Sequence, residues 1–449
     1  MTDATEPLPP PVGGGQSVIE KLTSLAKRRG FVFPSSEIYG GLNAVWDYGP
    51  LGVRLRRNVR ESWWRRVVEL RPDVEGIECA ILMNPRVWVA SGHVDAFTDP
   101  LVDCLGSCHM RWRQDQLEGD RCPHCGGPLS VVRRFNLMFK TFVGPVEDDS
   151  TRVYLRPETA QGMFVNFKNV LQSARQRLPF GIAQIGRSFR NEISPGNFIF
   201  RSREFEQMEM EWFCAPGEDE PWFEYWCHDQ MEWFSQLGIR PENLRLRPHA
   251  PAELAHYALG ASDIEYRFPF GWGELEGIAR RGDYDLRRHQ EVSGKDLAVP
   301  DPATGQPLLP FVVEPAVGVD RTALTVLLDA YAEEEVRGER RVVLRLAPSV
   351  APYQVAVLPL SKHTDLVGPA RAVEADLRRV LATDYDETQS IGRRYRRQDE
   401  IGTPLCVTVD FDSLSDRAAT IRERDSMAQV RVGLDRLVEV CRERLGLEP

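Results

Sequence analysis

Residues 189–213, FRNEISPGNFIFRSREFEQMEMEWF, alternate arginines and carboxylates in a pattern that ligand chemistry explains better than packing does. Arg190 precedes a turn centred on Ser194, Pro195, Gly196 and Asn197, with Arg201 and Arg203 after it and Glu204, Glu206, Glu209 and Glu211 next in line. The apolar approach GIAQIGRSF and the aromatic, Met-rich return predict strand, loop, strand. Side chains alternate faces along a strand, so Glu204 and Glu206 share one face and Glu209 and Glu211 the other. Carboxylates on both faces need partners, because burying an unpaired charge is costly. A ligand of both signs would satisfy them, with guanidinium groups holding phosphates and carboxylates holding an ammonium or a metal-bridged phosphate. A solvated hairpin with incidental ion pairs is the structural alternative.

A second cluster is built for a metal. Cys104 and Cys108, then Cys122 and Cys125 in CPHCGG, form two short knuckles separated by a hydrophilic segment. Four thiolates in paired short spacing suit tetrahedral Zn²⁺, and four protein ligands leave no open position, so the site reads as structural rather than catalytic. His109 or His124 could replace one thiolate, and reduced, metal-free cysteines in a loop remain the alternative. Cys79, Cys214, Cys227, Cys406 and Cys441 lie in apolar or helical contexts and read as packing residues. An odd total of nine, with four clustered, fits a reducing compartment better than a disulfide framework.

The surrounding chain must position these groups. At 449 residues it has material for two or three domains, and 42% hydrophobic with 27% charged residues is an ordinary soluble composition. A net charge of −10 argues against non-specific coating of nucleic acid while allowing a local basic face. No apolar run approaches the ~20 residues of a membrane helix, and the Pro/Gly-rich residues 1–16 read as a disordered tail without a signal pattern. The expectation is a soluble, cytoplasmic protein. Residues 17–29 predict a helix stopped by Gly30. Residues 31–52 read as a packed loop, residues 53–70 as a long amphipathic helix, and GIECAILMNP after it as a strand closed by Pro85. Residues 218–237 predict a packing helix, residues 268–286 a Gly-rich strand with Glu274 and Glu276, and residues 311–330 a strand, turn and helix with Arg321 at the junction. From about residue 350 strands alternate with amphipathic helices in an α/β pattern. There Arg393, Arg394, Arg396 and Arg397 surround Tyr395, a run able to bind RNA backbone and stack a base, or to form a solvated helix start.

Arg190-Asn191-Glu192 with Phe200-Arg201-Ser202-Arg203-Glu204-Phe205 resembles motif 2 of the class II aminoacyl-tRNA synthetases, and EFEQMEMEWF resembles the glycyl-tRNA synthetases among them. Residues 53–85 resemble motif 1 and residues 311–330 motif 3, while RPETAQG at residues 156–162 and IGRRYRRQDEIGTPLCVTVDF add further matches. The resemblance implies an α+β fold. Residues 17–345 would form an antiparallel-sheet catalytic domain with a zinc-binding insertion at 100–150, and residues 346–449 an anticodon-binding domain. It implies glycine activation with ATP and Mg²⁺, transfer to tRNA(Gly), a homodimer built through motif 1, and Arg190 and Arg321 as catalytic residues. ATP would meet Arg190, Asn191, Glu192, Phe200, Arg201, Ser202, Arg203, Glu204, Phe205, Glu274, Leu275, Gly318, Val319, Asp320 and Arg321. Glycine would meet Arg113 (Arg111 is its rival), Glu158, Phe205, Glu206, Gln207, Met208, Glu209, Glu314, Pro315, Ala316, Val317 and Gly318. The four arginines at 393–397 would meet tRNA. Two positions depart from the family: Ala316 stands where a serine is usual, and Arg280 where Asp or Asn is expected.

Overall fold

The computed structural model describes residues 17–193, 196–255, 257–301 and 304–447. The expected N-terminal tail, and Ser194 and Pro195 of the central turn, lie outside the described residues. The chain enters through helix α1 (Val18–Arg29), started by a reciprocal cap between Ser17 and Glu20 and stopped at Gly30, whose φ of 78° suits a residue without Cβ. Helix α2 (Pro50–Trp64) runs on into a single π-turn, Arg65–Glu69, which stacks Trp64 against Gly76. The expected strand after it shrinks to β1 (Val74–Gly76). Beyond Gly76 the backbone leaves the sheet, and Pro85 opens a helix (Pro85–Ala90) rather than closing a strand.

The central sheet is made by β1, β2 (Phe180–Phe189), β3 (Glu204–Cys214), β4 (Leu244–Pro248), β5 (Gly260–Phe268), β6 (Gly271–Gly282) and β7 (Phe311–Gly318). Its spatial order is β4-β5-β6-β7-β3-β2-β1, antiparallel throughout except for the β1–β2 pair. Period-two alternation decides what each face does. On β3, Met208, Met210 and Trp212 turn to one face and pack with Val59 and Trp63 of α2, with Trp226 and Trp233 of α4 (Asp219–Gln236), and with Leu324 and Leu327 of α6 (Val319–Ala330). Glu209 and Glu211 turn to the other face. There α3 (Ala160–Ser173) and α5 (Tyr284–Ser293) cover only the end nearest Phe213, over a cluster of Phe164, Phe167, Phe180 and Leu286. The half-covered face is the floor of a cleft.

The carboxyl-terminal part is a second sheet of β8 (Val355–Pro359), β9 (Thr383–Tyr385), β10 (Leu405–Val409), β11 (Ala418–Glu423) and β12 (Gln429–Gly433), in the order β9-β8-β10-β11-β12. Helices α7 (Thr364–Arg378), α8 (Ile391–Ile401) and α9 (Leu437–Arg444) accompany it, around its own core of Val357, Leu377, Val407 and Ile421. The junction with the first part is tight. Arg341, fully buried, donates to Asp399 of α8 at 2.8 Å, Arg422 donates to the same carboxylate at 3.0 Å, and Arg29 of α1 reaches Glu400 at 2.5 Å. Among the described residues no helix is long and apolar enough to cross a membrane.

Candidate active site

Strands β3, β6 and β7 line a cleft of about 320 Å³ on the half-covered face. Register sets its floor: Glu209 pairs with Gln184 of β2 and Ala316 of β7, and Ala316 with Gly277 of β6. Arg156 threads beneath β2, donating to the carbonyls of Arg187 at 2.7 Å and Cys79 at 2.8 Å. A Cβ at Gly186 would lie 2.2 Å from its Nη2, so this crossing requires glycine.

One end of the cleft is cationic. Arg190 donates from Nε to the Pro157 carbonyl at 3.0 Å, and its guanidinium lies 5.4 Å and 5.3 Å from the ring centres of Phe97 and Phe205. Arg321, in the first turn of α6, stands 4.5 Å from the Phe200 ring and donates to the Phe200 carbonyl at 3.2 Å. It also pairs with Glu274 at 3.1 Å. Arg201 completes the group. The Arg321 charge, then Arg190 and Arg201, hold the Glu274 carboxyl below its usual range. Helix N-terminus, stacked guanidinium groups and aromatic rings together can bind a polyphosphate and an aromatic base.

The other end is anionic and more deeply buried. Glu158 accepts from Gln161 at 2.9 Å and lies 3.1 Å from His93 Nε2. Against the opposing effect of burial, His93 holds the Glu158 carboxyl well below the usual range. Glu209 accepts from the Thr159 amide at 3.1 Å and from the Thr159 hydroxyl. Burial, then Glu314 and Glu158, push its carboxyl up to about 8. Glu314 accepts from Arg281 at 2.5 Å, and Arg281 is clamped to Asp285 at 2.8 Å and 3.0 Å, with the Tyr257 ring centre 3.9 Å away. Carboxyls outnumber cations here, which suits a small ligand bearing an ammonium.

Several expected site residues lie elsewhere. Glu204 pairs with Arg187 at 2.6 Å, and Glu206 with Arg56 at 2.8 Å and Arg60 at 3.0 Å. These two carboxylates, on the face opposite Glu209, are answered by the protein's own arginines. Met208 and Val319 bury their side chains in the core beneath the sheet, and Pro315 is buried in its β6–β7 pairing, whereas Leu275 and Val317, also core residues, still border the cleft. Leu275 is the extra residue of a β5–β6 bulge that turns Glu274 into the cleft. Arg203 supports the backbone through the carbonyls of Asn43 at 2.7 Å and Glu192 at 3.1 Å, and Asn191 lines a second, neighbouring hollow with it. Arg113 pairs with Asp99 at 3.0 Å and Asp115 at 2.7 Å, and Arg111 with Asp103 at 3.1 Å, all outside the cleft. Glu192, Phe200, Ser202, Phe205, Gln207, Gly318 and Asp320 do line it. Arg280 points away, pairing with Asp219 of α4 at 2.7 Å. His93, Tyr257, Arg281 and Asp285 were not singled out in the sequence. His93 meets Glu158 and Arg281 meets Glu314 across long separations, and the local Arg281–Asp285 pair looks like any other i,i+4 ion pair, whereas Thr159 lies within the RPETAQG segment already matched to the amino-acid pocket.

Cys104, Cys108, Cys122 and Cys125 converge, one sulfur of each lying within 4.8 Å of the others. The Sγ atoms of Cys104 and Cys125 are 3.4 Å apart and those of Cys108 and Cys122 3.5 Å, too far for disulfides and close to the edge of a tetrahedron around a metal. Gly106 and Gly127 touch across the two knuckles, and the Gly106 amide donates to Cys104 Sγ at 3.3 Å. Backbone amides, Gly127 first, bring the Cys125 thiol down to about 5. The donor set fits a soft divalent cation.

On α8, Arg394 does not face solvent. It is fully buried and donates to the carbonyls of Pro359 at 2.5 Å and of Asp386 and Leu360 at 3.0 Å each. Tyr395 also turns inward, to the Thr408 hydroxyl at 2.5 Å. Arg397 pairs with Asp386 at 3.0 Å and Arg396 with Glu339 at 3.6 Å, which leaves Arg393 outermost.

An antiparallel sheet holding stacked arginines above one end of a carboxylate pocket, followed by an α/β module, defines a class II aminoacyl-tRNA synthetase. Residues 142–344 match the family described as "tRNA synthetase class II core domain (G, H, P, S and T)", and residues 354–444 match "Anticodon binding domain". The glycine–tRNA ligase of Caldanaerobacter subterraneus is 54% identical over 95% of this chain and 98% of its own. That of Thermobifida fusca is 54% identical over 95% and 98%, and that of Bacillus cereus 51% over 93% and 97%. The chain belongs to the glycine–tRNA ligase family.

Proposed function

We propose that the cleft activates glycine with ATP and passes the glycyl group to the 3′-terminal ribose of tRNA(Gly). The observation that carries this is one cleft with Arg190, Arg201 and Arg321 at one end and Glu158, Glu209 and Glu314 at the other. The three carboxyls take the substrate ammonium, and the small pocket they wall would exclude a larger amino acid by shape. Excluding a larger amino acid by shape discriminates better than sensing a missing methyl, which yields only ~1–3 kcal/mol. The glycine carboxylate oxygen then attacks the α-phosphorus of ATP, the bond to the bridging oxygen of the β-phosphate breaks, and pyrophosphate leaves. Arg190 neutralises charge on the α-phosphate in that transition state, while Arg201 and Arg321 hold the remaining phosphates and the adenine against Phe200. Glu274 is the carboxylate that would share Mg²⁺ with the phosphates, and the ion supplies further charge neutralisation. A terminal ribose hydroxyl next attacks the acyl carbon, its proton is lost, and AMP departs.

The four cysteines hold structural Zn²⁺, with residues 17–345 as the catalytic unit and residues 346–449 as the tRNA-anchoring unit. The homodimer forms through the motif 1 region, and exposed Ile38, Tyr39 and Leu42, which precede α2 in the chain, offer apolar surface for that contact. The test is ATP–pyrophosphate exchange with each amino acid in turn, followed by charging of total tRNA. Glycine alone should support both, and Arg190→Ala should abolish exchange; exchange that survives in this variant removes Arg190 from the chemistry.

A further inference from the structure

Glu211 is left over from the chemistry above. It sits two residues beyond Glu209 on the same face of β3, fully buried, and neither of its oxygens meets a hydrogen-bond donor. What it meets is Glu314. The β3–β7 register pairs Glu209 with Ala316 and Trp212 with Val313, which sets Glu211 directly across from Glu314. One oxygen from each of Glu209, Glu211 and Glu314 lies within 4.8 Å of the others, and the Glu211 side chain is within hydrogen-bonding reach of Glu314.

Two ionised carboxylates facing each other across a ladder repel, the more so without water between them. Among the described residues the guanidinium at this wall is Arg281, and it is already committed: it binds Asp285 through two nitrogens and Glu314 Oε2 through the third. Glu158 and Asp285 add further negative charge from neighbouring elements. A proton resolves the conflict. On Glu211 it turns an acceptor with no partner into a donor aimed at Glu314, whose carboxylate has about four lone-pair sites to share.

Resting on the reading of this cleft as the glycine pocket, we propose that Glu211 is a positioning residue for it: as a neutral carboxylic acid it donates a hydrogen bond to Glu314 and fixes that carboxylate, ionised, where the substrate ammonium lands. Glu314 is thereby held from behind by two donors, Glu211 and Arg281, and its remaining lone pairs face the cleft. Burial, then Glu314, raises the Glu211 carboxyl well above the usual range, in accord with this role.

Two variants separate the roles. Glu211→Gln keeps a neutral donor of the same length, whereas Glu211→Met keeps the volume and removes the donor. In glycine-dependent ATP–pyrophosphate exchange, E211Q should keep the wild-type KM for glycine within about threefold, and E211M should raise it about tenfold or more, with the KM for ATP unchanged. The difference infrared spectrum of wild type minus E211Q at pH 7 should carry the carbonyl stretch of a protonated carboxylic acid, a readout that does not depend on E211M folding. A carboxylate band in its place, a glycine KM as impaired in E211Q as in E211M, or an unmoved KM in E211M would each overturn the assignment. Wild-type protein that exchanges no pyrophosphate with glycine would instead overturn the reading of the pocket, and this inference with it.

Discussion

Replacing Arg281 with methionine isolates the electrostatic design of the carboxylate pocket. Arg281 is buried and its three nitrogens are spent on Asp285 at 2.8 Å and 3.0 Å and on Glu314 at 2.5 Å. Removing one partner of a buried ion pair costs about 3–5 kcal/mol, and losing the stack on Tyr257 adds about 0.5–2 kcal/mol. A deficit of about 4 kcal/mol is a large share of the ~5–15 kcal/mol that holds a domain folded. With a urea dependence of about 3 kcal/mol per molar, the unfolding midpoint should fall by about 1 M. Tryptophan fluorescence reads this cleanly, because all ten tryptophans lie at or before residue 272, outside the carboxyl-terminal sheet. The pH dependence has a definite sign. Burial already raises the Glu314 carboxyl against the lowering effect of Arg281, so without Arg281 its folded-state value rises further above the unfolded value of about 4.3. Between those limits the folded state binds more protons than the unfolded one, so stability falls as pH rises. The deficit against wild type should therefore be larger at pH 8 than at pH 6, by about 1–2 kcal/mol. A deficit below about 1 kcal/mol at pH 8, or one that shrinks as pH rises, would refute the reasoning.

The remaining expectations concern the other two clusters. Metal analysis should find about one zinc per chain, reduced to background by Cys122→Ser without loss of the central sheet. A fully folded wild-type protein without metal would return these thiols to packing. Arg394→Met strands three carbonyls and should destabilise the carboxyl-terminal domain by several kcal/mol, at about 1–3 kcal/mol for each buried group left unpaired. Arg393→Ala should leave the melting temperature alone and weaken tRNA binding with a shallower salt dependence, as filter binding at two salt concentrations would reveal.

Much of this was legible before the fold was known, where a local rule suffices. Period-two alternation correctly separated Glu204 and Glu206 from Glu209 and Glu211, because a strand fixes side-chain direction residue by residue. Cysteine spacing gathered four sulfurs, because knuckles are local. Identity of type did not settle role. Glu206 and Glu209 are both glutamates of one strand, yet Arg56 and Arg60 claim the first from helix α2, which no pattern in the strand discloses. The basic run on α8 misleads at Arg394 and Tyr395, which face inward, for a related reason. Charge density counts arginines without asking which side of the helix they occupy, and Arg394 shares its inner side with Gln398 and Ile401. The strand expected to end at Pro85 was misread because proline closes strands and opens helices alike. His93 beside Glu158 and Arg281 beside Glu314 are products of tertiary structure alone.

The buried junction at Asp399 makes the molecule a caliper. With Arg341 and Arg422 closed on one carboxylate and α1 tied to the next residue, Glu400, the jaws are set: the span from the cleft to the outer surface of α8 is a length stored in the fold. Under the proposed tRNA contact at Arg393, an RNA held at both jaws would be gauged as well as bound. One whose acceptor end and distal loop are separated by the wrong distance can engage either jaw but not both, and size becomes a criterion of selection that no single base contact supplies.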